Sequence, residues 1–130
     1  MGYGRYSRGL VTGANSAAVL VVDDEPAIRL LCRVNLELEG YRVLEAPSLT
    51  DARRQLAEED VSLVLLDMRL GSERGESMLD ELQALEIPVV LVTGSVEIQP
   101  SWNARAAAVL GKPFAIDDLL GAVRALAVAR

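Results

Sequence analysis

One apolar run constrains the fold of this chain more than any other feature. It occupies positions 61–66 and ends on the carboxylate of Asp67. An apolar run of this length is typical of a strand buried on both faces, as in the centre of a parallel sheet. A second such run, at positions 19–22, ends on Asp23 and Asp24. A lone aspartate after a strand is equally well explained as a turn former or a helix cap. Two strands that deliver carboxylates to one edge of a parallel sheet instead indicate a chemical site, because ligands bind at that edge.

Strand-like and helix-like segments alternate five times along the chain. Strands are predicted at residues 18–22, 41–46, 61–67, 89–92 and 106–110. A helical segment follows each of them, and the fourth, at 95–105, is expected to be short or irregular because it contains Pro100. This alternation predicts an α/β fold in which a five-stranded parallel sheet has helices on both faces.

Helical spacing also predicts which side chains face the core. In the first helix the predicted inward stripe consists of Ile28, Leu31, Val34 and Leu38. In the third helix it consists of Met78, Leu82 and Leu85.

Length and composition limit the classes of function. A chain of 130 residues with 51% apolar and 25% charged residues fits one globular domain. Residues 1–17 have no periodicity and are expected to form a flexible leader, so the domain is assigned to residues 18–130. No apolar stretch is long enough to cross a membrane, which predicts a cytoplasmic protein without a membrane partner. The net charge of −6 argues against direct binding of nucleic acid.

Polar groups with complementary chemistry follow four of the five predicted strands. They are the carboxylates of Asp23, Asp24 and Asp67, the hydroxyl of Thr93 and the ammonium of Lys112. The chain has no histidine, so any metal must be held by oxygen atoms, and a cluster of aspartates suits Mg²⁺. A carboxylate can act as a nucleophile and form an acyl phosphate, while a hydroxyl and an ammonium can hold phosphoryl oxygens.

Four motifs, in order, resemble those of the receiver domain of two-component response regulators, a family whose single-domain type is the chemotaxis regulator. The motifs are the acidic pair in VDDEP at 22–26, LLD at 65–67, TG at 93–94 and GKPF at 111–114. The resemblance covers about residues 18–128. It implies a flavodoxin-like, doubly wound (βα)₅ fold with strand order 2-1-3-4-5, and a response regulator that works by phosphorelay signal transduction.

The resemblance also implies a role for each acidic residue. Asp67 would accept a phosphoryl group from a sensor histidine kinase or a His-containing phosphotransfer protein. Mg²⁺ would be bound by Asp24, Asp67 and the backbone carbonyl of Arg69, and Asp23 would act mainly through water. The output protein is not specified, and a second copy of the chain is a further candidate partner.

Three other positions match the family pattern. Thr93 and Lys112 would contact the phosphoryl group, the Lys112-Pro113 peptide bond would be cis, and Gly75 corresponds to the glycine of the loop after the phosphorylation site.

Two positions depart from the family pattern. Val109 replaces the aromatic residue that normally precedes the lysine by three positions, and valine has no ring to move between two pockets. This argues against the usual threonine-aromatic switch. Gly71 replaces a common proline and is expected to loosen its loop.

Three functions are compatible with the motifs. The favoured one is a phosphoprotein that accepts a phosphoryl group and is not an enzyme beyond its own Mg²⁺-dependent phosphorylation and dephosphorylation. An alternative is a receiver-like interaction or dimerisation module that works without phosphorylation. A turnover phosphatase with an aspartate nucleophile is disfavoured, because such enzymes place a general acid two residues later, where this chain has Arg69.

Overall fold

The five apolar runs form one parallel sheet in the structure, a computed structural model that describes residues 17–94 and 100–127. In chain order the strands are β1 (Ala18–Val22), β2 (Arg42–Ala46), β3 (Leu63–Asp67), β4 (Val89–Thr93) and β5 (Ala108–Gly111). Their order in the sheet is β2-β1-β3-β4-β5, which confirms the predicted 2-1-3-4-5 topology. In the register, Val22 lies opposite both Ala46 and Leu66, so β1 and β3 end side by side.

Helices cover both faces of the sheet, as predicted. They are α1 (Pro26–Leu38), α2 (Leu49–Glu58), α3 (Leu79–Ala84), α4 (Pro100–Arg105) and α5 (Ile116–Leu126). Side chains of α1 and α5 pack with one face of the sheet, and those of α2, α3 and α4 pack with the other. Between β3 and α3 the chain forms a short antiparallel hairpin of Arg69–Leu70 with Glu73–Arg74, and then the 3₁₀ turn Gly75–Met78.

The prediction for the buried face of α1 is wrong at three of its four positions, whereas Ile28 packs against the core as predicted. The helix buries Cys32 and Leu36, and Leu31, Val34 and Leu38 are 39%, 48% and 80% exposed. Apolar residues recur at helical spacing on two opposite sides of this helix, so periodicity alone did not identify the inward side. Four large apolar side chains therefore form an exposed stripe along α1. This α1 stripe consists of Leu30, Leu31, Val34 and Leu38.

Smaller differences occur at the ends of elements. Leu85 follows the last residue of α3 and is exposed, so its predicted burial is also wrong, whereas Met78 and Leu82 are buried as predicted. The fourth helix is short, as expected, and part of its predicted segment, residues 95–99, lies outside the described residues.

The predicted leader lies almost entirely outside the described residues, which begin at Ala17. Ala17 itself is buried, and its carbonyl accepts a hydrogen bond from the backbone N–H of Arg42 at 3.0 Å. Within residues 17–94 and 100–127, the structure has no helix with the length and apolar character needed to cross a membrane.

Candidate functional site

Three carboxylates meet at the carboxyl edge of the sheet. Asp23 and Asp24 follow β1, Asp67 ends β3, and each offers an oxygen atom within 4.8 Å of the other two. Asp23 and Asp67 are buried, whereas Asp24 is exposed. The neighbouring position of β1 and β3 in the sheet brings the three residues together.

Each of these carboxylates accepts a hydrogen bond from a backbone N–H. The donors are Glu25 for Asp23 (2.9 Å), Gly71 for Asp24 (2.9 Å) and Arg69 for Asp67 (3.1 Å). Gly71 has a φ of +60°, and its N–H reaches Asp24 from the tip of the short hairpin. A proline at position 71 has no N–H and cannot adopt this φ, so the replacement noted in the sequence creates a contact with the acidic pair.

The ammonium of Lys112 lies among the carboxylates. Its Nζ is 3.0 Å from Asp23 Oδ2, 3.1 Å from Glu25 Oε1 and 3.3 Å from Asp67 Oδ2. The peptide bond from Lys112 to Pro113 is cis, which confirms the expectation from the resemblance. Burial acts to lower the pKa of Lys112, but its hydrogen bonds and the nearby negative charges outweigh burial, and the pKa is raised. The ammonium therefore supplies positive charge among the carboxylates of this site.

The same environment raises the pKa of Asp67. Burial is the largest cause and the charge of Asp23 adds to it, whereas the N–H of Arg69 and the ammonium of Lys112 act in the opposite direction. One ammonium thus faces several carboxylates, two of them buried. A hard divalent cation fits this site, because the donors are all oxygen atoms and their negative charge exceeds the positive charge of Lys112.

A cavity of about 270 Å³ opens beside the acidic cluster. It is lined by Asp67, Arg69, Thr93 and Gly94. Thr93 ends β4 and is buried, and the carbonyl of its backbone accepts the N–H of Lys112 at 2.8 Å. The cavity has room for several molecules of the size of water, each of which occupies about 30 Å³.

Gly75 allows the chain to pass directly over the end of β3. Its N–H donates to the carbonyl of Met68 at 3.1 Å, and a Cβ at this position would overlap the carbonyl oxygen of Asp67. A side chain here would displace the backbone that carries Asp67. The requirement for glycine at position 75 is therefore steric.

The sequence did not identify two of the contacts in this site. Glu25 received no role in the site from the sequence, although a third carboxylate beside an acidic pair could have suggested a partner for the lysine. The N–H of Gly71 gave no signal in the sequence, because its contact with Asp24 spans 47 positions.

The strand order and the pocket together define a class of protein: a flavodoxin-like α/β domain with an oxygen-rich acidic site at the carboxyl edge of its sheet. The family model described as the response regulator receiver domain matches residues 19–124. The chain belongs to this family, and it is a receiver domain of two-component signalling.

Individual relatives agree with this assignment. The transcriptional regulatory protein KdpE of Mycobacterium tuberculosis is 36% identical over 111 residues, which cover 82% of this chain and 49% of KdpE. The chain thus spans about half the length of this relative. A receiver domain protein from Methanospirillum hungatei superposes with a TM-score of 0.78 at 30% identity, over 85% of this chain and 92% of that one.

A third relative was solved in complex with a ligand. The response regulator TrrA of Thermotoga maritima, described as a complex with Mg²⁺-BeF, superposes with a TM-score of 0.76 at 27% identity. The superposition covers 84% of this chain and 97% of TrrA.

Proposed function

We propose that this receiver domain accepts a phosphoryl group on Asp67 from a phosphohistidine of a sensor histidine kinase or a His-containing phosphotransfer protein. The observation that supports this most strongly is the convergence of Asp67 with two further aspartates and one lysine beside an open cavity. In the transfer, a carboxylate oxygen of Asp67 forms a bond to phosphorus as the bond from phosphorus to the histidine nitrogen breaks. The electron pair of that bond stays on the histidine, which is left as an imidazole.

The same residues fit a bound Mg²⁺. Asp24, Asp67 and the backbone carbonyl of Arg69 would hold the ion, and Asp23 would act mainly through water. When bound, the ion supplies positive charge that offsets the charge of the phosphoryl oxygens. The description of TrrA as a complex with Mg²⁺-BeF supports this assignment by analogy.

Lys112 and Thr93 would hold the oxygen atoms of the transferred group. The ammonium of Lys112 is 3.3 Å from Asp67 Oδ2, next to the position that the phosphoryl group would occupy. Thr93 lines the cavity that opens beside Asp67. A cation and a hydroxyl fixed in advance at this place would stabilise the charge of the transition state.

The α1 stripe supports a protein as the phosphoryl donor. Its four large apolar side chains are exposed along one helix, and contiguous apolar surface of this kind typically marks a protein-binding site. The helix begins at Pro26, two residues after Asp24, so a protein bound along the stripe lies close to the acidic pocket. We propose that the histidine-bearing partner binds here, and that the phosphorylated domain changes its affinity for a separate output protein.

Phosphorylation by a small donor tests the proposal without a cognate kinase. Incubation with acetyl phosphate and Mg²⁺ is expected to add the mass of one phosphoryl group to the chain, as measured by intact-protein mass spectrometry. Asp67→Asn and an excess of EDTA should each abolish the addition. Asp60→Asn, which changes an exposed aspartate outside the pocket, is the matched control and should be labelled normally. Labelling of Asp67→Asn at the wild-type level would refute the assignment.

A second candidate function is favoured by position 109. Val109 is partly buried against the core on the side of α2, α3 and α4, and it provides no aromatic ring for the usual switch. A module that binds its partner, or a second copy, without phosphorylation would need no such ring. Self-association measured with and without beryllofluoride separates the two functions: an identical result in both conditions, with beryllofluoride demonstrably bound, would favour the phosphorylation-independent module.

A further inference from the structure

An arginine on α1 contacts the backbone of the loop that carries Asp23, Asp24 and Glu25. The side chain of Arg29 is 15% exposed, and its Nη1 donates to the backbone carbonyl of Asp23 at 2.6 Å. Its Nε donates to Glu45 Oε1 at 3.0 Å. Arg29 thus connects the first residue of the acidic pair with a carboxylate on β2.

Glu45 is itself held in place. Its second oxygen, Oε2, lies 2.9 Å from Nη1 of Arg33, and Nη2 of Arg33 donates to the carbonyl of Val43 at 3.2 Å. Two arginines of α1 are therefore fixed on β2 through one glutamate. A guanidinium anchored in this way loses little further freedom when it binds a carbonyl.

The loop that Arg29 contacts is also held by Lys112 and by backbone hydrogen bonds, but Arg29 is the side chain that binds the carbonyl of Asp23. Asp23, Asp24 and Glu25 lie between β1 and α1, outside both elements, and their carboxylates repel one another. The contact of Arg29 with a backbone carbonyl, rather than with a carboxylate, fixes the path of the chain and leaves the carboxylate oxygens free to face the pocket.

We propose that Arg29, anchored by Glu45, is a positioning residue that holds the Asp23-Asp24 pair in the geometry required for a divalent cation. The inference rests on the proposed function, because it takes Mg²⁺ as the ion. It adds to that function a residue outside the pocket on which the affinity for the ion depends.

The sign of the change in Mg²⁺ affinity when Arg29 is removed distinguishes a positioning role from a purely electrostatic one. Arg29 is a cation close to a cation site, so by Coulomb's law its removal should strengthen Mg²⁺ binding. If Arg29 positions the loop, its removal should weaken Mg²⁺ binding. Removal of a residue that orients a metal ligand typically lowers metal affinity by about 10-fold to 100-fold.

Isothermal titration calorimetry with MgCl₂ on the unphosphorylated chain tests the proposal. Arg29→Met, which keeps the length and removes the charge and donors, is expected to raise the dissociation constant about tenfold. Glu45→Gln should give a smaller loss, and little further loss in the Arg29→Met background, if Glu45 acts through Arg29. Arg53→Met is the matched control, because Arg53 makes a comparable paired contact with Glu81 between α2 and α3.

A dissociation constant for Arg29→Met equal to or below that of the wild type, or an equal loss in Arg53→Met, would overturn the inference. If Arg29→Met does not fold, Arg29→Gln keeps N–H donors but lacks the charge and the length to reach both the carbonyl and Glu45; wild-type affinity in this variant would also overturn the inference. Failure of the wild type itself to bind Mg²⁺ would instead refute the metal site of the proposed function.

Discussion

Replacement of Lys112 by methionine tests whether one ammonium keeps the carboxylates together. Lys112 lies within 3.3 Å of oxygen atoms of Asp23, Glu25 and Asp67, and the side chains of the two aspartates are almost fully buried. Methionine has similar length and no charge, so it removes the attraction and leaves the carboxylates in place. We expect a less stable fold in buffer without Mg²⁺.

The expected loss of stability depends on the burial of the charged groups as well as on the distance between them. Two unit charges 3 Å apart attract by about 5 kcal/mol at an effective dielectric constant of 20, but the cost of burying the ammonium offsets much of this. The contact with Glu25 adds at most about 1 kcal/mol, because that side chain is 60% exposed. Removal of one partner from a buried ion pair typically costs about 3–5 kcal/mol, and we expect a loss of this size in the free energy of unfolding.

Urea denaturation in EDTA and in MgCl₂ measures the effect. In EDTA the variant should lose about 3–5 kcal/mol. Mg²⁺ should restore more stability to the variant than to the wild type, because the ion replaces the missing positive charge and no longer meets the repulsion of the ammonium. Arg124→Met is the control: it breaks an exposed ion pair with Glu39 and should lower the stability far less than Lys112→Met does. A Lys112→Met variant as stable as the wild type in EDTA would refute this reasoning.

Three further predictions concern single-residue variants, and the third compares two of them. Asp67→Asn should raise the free energy of unfolding in EDTA at neutral pH, because burial raises the pKa of Asp67. A carboxyl group whose pKa is raised on folding loses stabilising effect as pH rises through that pKa, so the gain should shrink in acid; urea denaturation from pH 4 to 8 checks this. Arg69→Ala should change the half-life of the acyl phosphate, because Arg69 lines the cavity beside Asp67; decay of the phosphorylated mass measures it, and an unchanged rate would contradict the prediction. Leu38→Gln should change the free energy of unfolding by less than about 0.5 kcal/mol, because Leu38 is 80% exposed. Leu36→Ala should cost about 2–5 kcal/mol by urea denaturation, and an equal cost for both would contradict the exposure of the α1 stripe.

The strands were predictable because burial on both faces requires a simple sequence pattern. A run such as that at 61–66 has no polar residue that could face water, apart from Ser62, so it belongs in the centre of a sheet. The position of the acidic residues followed from the same pattern, since parallel strands end at one edge. The strand order came from the resemblance to the family, because the alternation of strands and helices is compatible with several orders.

The inward side of α1 was not predictable in this way. Apolar residues on opposite sides of one helix give two stripes of similar quality, and only the contacts with β1, β2 and α5 decide which is buried. The inward stripe contains Cys32, a residue that acts as a small apolar side chain here: burial raises the pKa of its thiol to about 11, so it stays protonated at neutral pH.

Contacts between residues far apart in the sequence were not predictable either. Gly71 reaches Asp24 and Lys112 reaches Glu25 across 47 and 87 positions of the chain. Arg29 reaches the carbonyl of Asp23, and no sequence pattern identifies a bond to a backbone carbonyl. These contacts depend on the path of loops, which burial and periodicity do not specify.

A buried aromatic ring lies in the core on the side of the sheet that α2, α3 and α4 cover, and it belongs to α4. The family pattern places a ring on the fifth strand, where rotation of one side chain could move it. Here that strand carries Val109, and the buried ring in the same cluster is Trp102 of α4. Its indole Nε1 is buried and has no hydrogen-bond partner within residues 17–94 and 100–127, so polar contacts do not fix the ring. On this face of the sheet the aromatic surface therefore comes from α4, and β5 has no aromatic side chain that could rotate.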